Sequence, residues 1–412
     1  MCMGCDKFLS KSFKPRHQPN CTGKGINTFV PVAAIAKTPS NFNDFEDGYK
    51  AILNTLHQDA VGDYIKTDQI ILMVGARSYS SIKRKLDKVQ ENKRTVRSRI
   101  RLMARVYLAF LECYNSQTSI IITDKADNAS DMYRRESIPL LVKAVENLTE
   151  KDEEELQPGD VVNQKSGLKL SILNMIKLTA KYLIGHYLIE NCDLRSQYVV
   201  MFLKVLQSFE NDLFGDAYYA VAHQRNTVLR KPVQLPKEED VQLLLQECDL
   251  IMEKVDPYNL KVTDASYCQL RSAVVTCLIV FNARRGGEPG RLSINQWNEA
   301  LKGEWVDREE NQEIGEFDQD TMLITYQTGK GNNHLVPVIF PSETHRPIKY
   351  LANADVRRDA SVATSNSFLF PATQNKEGHA SGWHSINDIL VKLSLKGALN
   401  PTKNRHRVAS IL

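Results

Sequence analysis

The sequence predicts a mainly α-helical chain with one small antiparallel β-sheet (α+β), and three observations carry that prediction. Apolar residues recur at three- and four-residue intervals through most of 45–230, the period of amphipathic or buried helices. Two prolines in LRKPVQLPKEEDV break that pattern at 232–236 and separate a larger helical part from a second part. In the second part EWV, TMLITYQT and HLVPVIF are β-branched and aromatic runs, and GKGNN between the last two reads as a hairpin turn.

Composition narrows the class. With 412 residues, 42% of them hydrophobic, the chain can bury at least one sizeable core. A net charge of +4 is mildly basic, so a polyanionic partner has to be met by a local cluster. No uncharged apolar run approaches the roughly 20 residues needed to span a bilayer, and CMGCDKF after Met1 is not a signal sequence. The expectation is a cytosolic or nuclear protein without a membrane partner. Cys113, Cys192, Cys248, Cys268 and Cys277 are scattered through helical patterns and read as reduced, core-type cysteines.

Taken in order, 1–25 is a short Cys/His/Lys-rich segment, 40–232 a helical domain, and 236–412 a second domain. YKAILNTLHQDAVGDYI, VRSRIRLMARVYLAFLECY, LKLSILNMIKLTAKYLIGHYLI and YVVMFLKVLQSFENDLFGDAYYAVA carry the helices of the first domain. NSQTSIIITDKADNASD and KDEEELQPGDVVNQKSG read as surface loops between them. Glu238, Glu239 and Asp240 place acids at the start of a helix over 237–255, and a buried helix follows around 265–282. Helical patterns return at 343–352 and 384–395 after the strands.

The N-terminal segment spaces Cys2, Cys5, His17 and Cys21 as a C2HC zinc site, in which thiolates and one imidazole supply tetrahedral coordination. Pro15 and Pro19 beside His17 favour a small structural knuckle over a base-reading helix. A second cluster, SIKRKLDKVQENKRTVRSRIRLMAR, sets Lys83, Arg84, Lys85, Lys88, Lys93, Arg94, Arg97, Arg99, Arg101 and Arg105 against Asp87 and Glu91 alone. That is enough local charge to bind the backbone of double-stranded DNA.

Three polar sites in the second part come in a fixed order. FNARRGGEPGRLSINQW leaves the buried helix through Arg285 and Glu288, Lys330 sits in the hairpin turn, and PTKNRHRVAS supplies Thr402, Arg405 and His406. Together they resemble the catalytic domain of the tyrosine recombinases, the phage-integrase family that includes the recombinases of Crypton-like eukaryotic mobile elements. The family's R-x-x-E-x-x-x-L matches at Arg285, Glu288 and Leu292, with Trp297 at the aromatic that commonly ends the motif. Its G-K-G-x-x-x-x-V-P hairpin matches at Gly329, Lys330, Gly331, Val336 and Pro337. Its H-x-x-R-H matches at Arg405 and His406, with Thr402 where the first histidine is expected.

The resemblance implies a helical core-binding domain ahead of an integrase-like catalytic domain, the two clamping duplex DNA. It implies strand cleavage and rejoining through a 3′-phosphotyrosine, with no catalytic metal. Arg285 and Arg405 would grip one phosphodiester through paired guanidinium hydrogen bonds. Glu288 would hold the first guanidinium in one rotamer, and Lys330 would protonate the leaving 5′ oxygen. Thr402 can donate a hydrogen bond but cannot serve as a general acid or base near neutral pH.

The nucleophilic tyrosine of the family lies downstream of the second arginine. The seven residues after Arg405 hold no tyrosine, no nucleophile is assigned, and the expectation is a DNA-binding protein that does not cut as written. The alternative reading is a non-enzymatic zinc-finger DNA-binding regulator, nuclear in either case, with a homo-oligomer on DNA as a further expectation. A helical interaction protein with no nucleic-acid role would be marked by negligible DNA affinity of 83–105 at low salt.

Overall fold

The computed structural model describes residues 45–84, 88–116, 128–150, 164–230, 235–255, 262–305, 323–329, 334–373, 377–395, 397 and 399–411, with Val228 and Leu229 described by their backbone alone. The chain divides into two compact units between Lys231 and Pro232. Both are dominated by helices, and the one sheet among the described residues is two-stranded, antiparallel and in the second unit.

The first unit contains α1 (Asp47–Asn54), α2 (Ala60–Thr67), α3 (Gln69–Ile82), α4 (Val89–Ser116), α5 (Ile138–Thr149), α6 (Ser166–Ile189), α7 (Asp193–Ser208) and α8 (Glu210–Arg230). Its axis is α4, which buries Val96, Ile100, Met103, Ala104, Tyr107, Phe110 and Cys113 at helical spacing and packs against α3, α5 and α6. Two short 3-10 turns, Ala129–Tyr133 and Arg135–Ser137, lead into α5. Asp68 explains how they are held. Its carboxylate accepts from the Ile70 and Ile71 amides at 2.9 Å each, capping α3, and from the Ala129 amide at 2.9 Å and the Tyr64 hydroxyl at 3.0 Å. Four donors offset the cost of burying that carboxylate.

The second unit contains α9 (Glu238–Glu253), α10 (Asp264–Asn282), the single turn α11 (Gly287–Gly290), α12 (Ile294–Lys302), β1 (Leu323–Thr328), β2 (Leu335–Phe340), α13 (Ser342–Ala352), α14 (Ala354–Asp359), α15 (Gly382–Lys392) and α16 (Pro401–Ile411). Its centre is α10, started by a Thr263–Ser266 capping box and buried almost all round from Leu270 to Val280. α9, α13, α15, α16 and β2 all pack on it. β1 and β2 pair in register from Leu323↔Phe340 to Thr328↔Leu335. Trp297 of α12, 3% exposed, meets Phe340 edge-on with ring centroids 5.0 Å apart.

Two sequence expectations are corrected. Glu304 and Trp305 of the EWV run form a turn, not a strand, because Gly303 in the left-handed conformation (φ 68°) ends α12 and Trp305 packs at a tilt against Tyr326 with ring centroids 5.0 Å apart. The end of NSQTSIIITDKADNASD is not surface loop: Asn128 and Asp131 form a capping box on a 3-10 turn whose Ala129, Met132 and Tyr133 enter the core. Cys113, Cys248 and Cys277 are buried free thiols, and Cys192 and Cys268 are partly exposed. Among the described residues no helix is long and apolar enough to cross a membrane.

Candidate functional site

The candidate site is organised by the C-terminal end of α10, where a helix leaves four carbonyls without intrahelical donors. Ala283 ends the helix in the left-handed conformation at φ 50°, ψ 39°, and the Ala283 and Arg284 amides reach back to Val280 and Ile279 carbonyls at 3.4 Å each. Those backbone bonds are long, and side chains complete the cap. The Asn282 amide donates to Leu278 O at 2.9 Å and to Ile339 O at 2.8 Å, while its oxygen accepts from Ile339 N at 2.7 Å. One side chain thus ties the helix end to β2.

Arg285 lies two residues beyond that cap, with its side chain 47% exposed, whereas the Glu288 side chain is 5% exposed. Glu288 accepts from the Arg285 amide at 3.2 Å and from Arg285 Nη1 at 3.4 Å. The buried carboxylate therefore holds one edge of the guanidinium and the start of the turn, and the rest of the fork faces outward. Leu292, fully buried, anchors the far end of the segment: its carbonyl accepts from the Leu369 amide at 2.7 Å.

This short segment touches α15, the helix α16 that carries Thr402, Arg405 and His406, and the end of β1. Gly286 sits against the first residue of α15 and the first of α16: a Cβ there would lie 3.2 Å from Gly382 backbone atoms and 3.3 Å from Pro401 Cγ. On another side, Arg291 Nη2 donates to Thr328 O at 3.1 Å, at the end of β1. Gln296 of α12 donates to Tyr326 O at 2.7 Å on the same strand. Gly329 N bonds His334 O at 3.0 Å, closing the hairpin. Lys330 and Gly331 themselves lie outside the described residues.

α16 reaches the same place from the other end of the unit. Asn404, fully buried, donates from Nδ2 to Val280 O at 3.0 Å and to Ile279 O at 3.3 Å, supplying donors to the end of α10 from 124 positions away. Thr402 and His406 are exposed on α16, and Arg405 is half-buried. On a helix advancing about 100° per residue, Thr402, Arg405 and His406 fall within about 100° of one another, and Asn404 points roughly the opposite way.

The second unit also holds titratable groups enclosed in its core. Burial pushes the Cys248 and Cys277 thiols up, which keeps them protonated. Tyr267 is pushed up to about 12 by burial, and its hydroxyl donates to Leu351 O at 3.2 Å in the core.

In the first unit the basic segment is already partly engaged. Arg101 forms two bonds to Asp59, at 3.1 and 2.6 Å, Lys83 pairs with Glu46 at 2.5 Å, and Arg97 donates to Thr55 Oγ1 at 2.7 Å. The Arg101 hydrogen bond is the main reason the Asp59 carboxyl is lowered from 3.8 to about 2, with the Gly62 amide contributing next. Arg84 and Arg94 are exposed, Lys93 is half-buried and already engaged, and Lys85 lies outside the described residues. Arg94, Arg101 and Arg105 fall at seven- and four-residue intervals on one face of α4.

Comparison with protein-family models, curated proteins and solved structures gives no match to this chain. Cys2, Cys5, His17 and Cys21 lie outside the described residues, and among the described residues no cluster of three or more His, Cys, Asp or Glu could hold a metal ion. Sequence reasoning missed Gly286, Arg291, Gly382 and Asn404. A glycine pair and an arginine bonded to one carbonyl leave no local pattern. Asn404 lies inside the motif itself, at a position whose identity the pattern leaves free.

Proposed function

We propose that the chain binds double-stranded DNA and that its second unit grips one phosphodiester in the manner of a tyrosine recombinase. What supports this reading is one observation above the others: the turn carrying Arg285 packs on the first residues of α15 and α16 and bonds the end of β1, so it meets the helix bearing Arg405 and the strand that ends two residues before Lys330. Arg285 and Arg405 would share the non-bridging oxygens, where negative charge grows during attack on phosphorus. Glu288 fixes the first guanidinium, so less rotamer freedom is lost when the phosphate binds. Lys330, reaching from the hairpin, would give its proton to the departing 5′ oxygen, and Thr402 and His406 would donate hydrogen bonds to the same phosphate.

On this reading strand cleavage uses a tyrosine that none of these residues supplies, and the exposed arginines of α4 add sequence-independent phosphate contacts. The N-terminal Cys2, Cys5, His17 and Cys21 hold one structural zinc, the protein acts in the nucleus, and copies associate on DNA.

The test is fluorescence anisotropy of a labelled duplex at several salt concentrations. The expected result is a salt-dependent affinity whose logarithmic slope is shallower by about 0.9 in Arg285→Ala and in Arg405→Ala, one phosphate fewer being neutralised in each. Unchanged slopes in both variants sink the proposal. A nicked suicide duplex separates the two versions of it: a covalent adduct means cleavage, and binding without an adduct means the regulator reading.

A further inference from the structure

We infer that Asn404 is a positioning residue that sets Arg405 against the DNA phosphate, an inference that rests on the DNA-binding reading above. α16 has two faces with different tasks. One carries Asn404 and Arg407. Asn404 donates to the last carbonyls of α10, its oxygen accepts from Arg407 Nη1 at 3.4 Å, and Arg407 forks onto Glu238 at 2.8 and 2.7 Å. A polar chain thus runs from the first residue of α9 through α16 to the end of α10. The other face carries Thr402, Arg405 and His406.

The anchor is close to the residue it would orient. Asn404 bonds the carbonyls of Ile279 and Val280, and the Arg284 and Ala283 amides bond those same two carbonyls on the way to Arg285. One carboxamide therefore joins the backbone that presents Arg285 to the helix that presents Arg405. Its chemistry is specific. Two carbonyl oxygens face it, so the group has to donate. A leucine of similar size fills the volume and leaves both oxygens without it, while an aspartate sets a carboxylate against them. Pro401 at the start of α16, in contact with Gly286, gives the helix a second fixed point three residues earlier.

The experiment is a double-variant cycle on duplex binding by the full chain, read as affinity and salt slope, with Asn404→Leu, Arg405→Ala and both together. Tryptophan fluorescence confirms folding in each, since Trp297, Trp305 and Trp383 all belong to the second unit. Arg405→Ala alone is expected to weaken binding roughly tenfold and to lower the slope by about 0.9. Asn404→Leu is expected to lower the slope by a similar amount, and to change affinity by less than about twofold once Arg405 is gone. If Arg405→Ala leaves the slope unchanged, the DNA-binding reading fails and the positioning role with it. If Arg405→Ala lowers the slope but Asn404→Leu does not, or if the two losses add, the positioning inference alone is overturned. Should Asn404→Leu fail to fold, Asn404→Ala, which removes the donor without adding bulk, replaces it in the cycle: a lowered slope without additivity supports the positioning role, and an unchanged slope or additive losses overturn it.

Discussion

Replacing Gly382 by alanine probes a close backbone approach at the candidate site. A Cβ on Gly382 would lie 2.6 Å from Gly286 Cα and 2.5 Å from Ile279 Cδ1, and would also meet Gly286 O. Carbon atoms rest about 3.5–4.0 Å apart, so the contact is about 1 Å too short and two of the three obstacles are backbone. Such overpacking costs about 1–3 kcal/mol, and because α15 and the Arg285 turn would both have to move, the upper end applies. With a urea slope of about 1–3 kcal/mol per molar, the unfolding midpoint drops by about 1–3 M. Tryptophan emission reads this unit selectively, because all three tryptophans of the chain lie in it and Trp297 is buried. Ser381→Ala, one residue earlier and exposed, is the control and is expected within about 0.5 kcal/mol of the parent. A Gly382→Ala midpoint indistinguishable from the control would refute the close packing from which the site is built.

Ala283→Gly should act in the opposite direction: a left-handed non-glycine residue costs about 1 kcal/mol, and part of that is recovered against the greater freedom of glycine in the unfolded chain, leaving a gain of about 0.5 kcal/mol in the same urea assay. A loss would mean the helix end is not strained. In the first unit, the carboxyl of Asp59 is lowered to about 2 from 3.8, so its pairing with Arg101 stabilises the fold above pH 4 and that contribution disappears as pH falls from about 4 toward 2. Melting followed by circular dichroism across that window should show a shallower acid loss in Arg101→Met, and identical acid profiles would mean that the pair contributes nothing to stability. For the N-terminal segment, native mass spectrometry is expected to find one zinc ion that Cys5→Ser loses, and a metal-free parent chain would dismiss the site.

Much of the second unit was legible because its local signals agree with its tertiary context. AVVTCLIV is apolar on every side, and α10 is buried on every side. The strand pair was legible from alternation and from a glycine-flanked turn, and Val336 and Val338 do face inward. EWV misled because β-branched and aromatic character in three residues cannot outweigh a left-handed glycine just before it. The basic segment was legible as charge but not as geometry: Arg101 finds Asp59 across 42 positions, a contact no helical period announces. The same holds at the candidate site. The motif residues stand out by type and order, but the contacts among the elements that carry Arg285 and Arg405 are a glycine–glycine approach and two asparagine side chains reaching 57 and 124 positions along the chain.

On the reading proposed, two guanidinium groups far apart in sequence meet at one phosphodiester. The most direct test is a structure of the chain on duplex DNA, measuring the distance from each of Arg285 and Arg405 to its nearest phosphate oxygen. Both are expected within about 3 Å of the same phosphate. Arginines on phosphates of separate nucleotides, or either one turned away from the DNA, would contradict it.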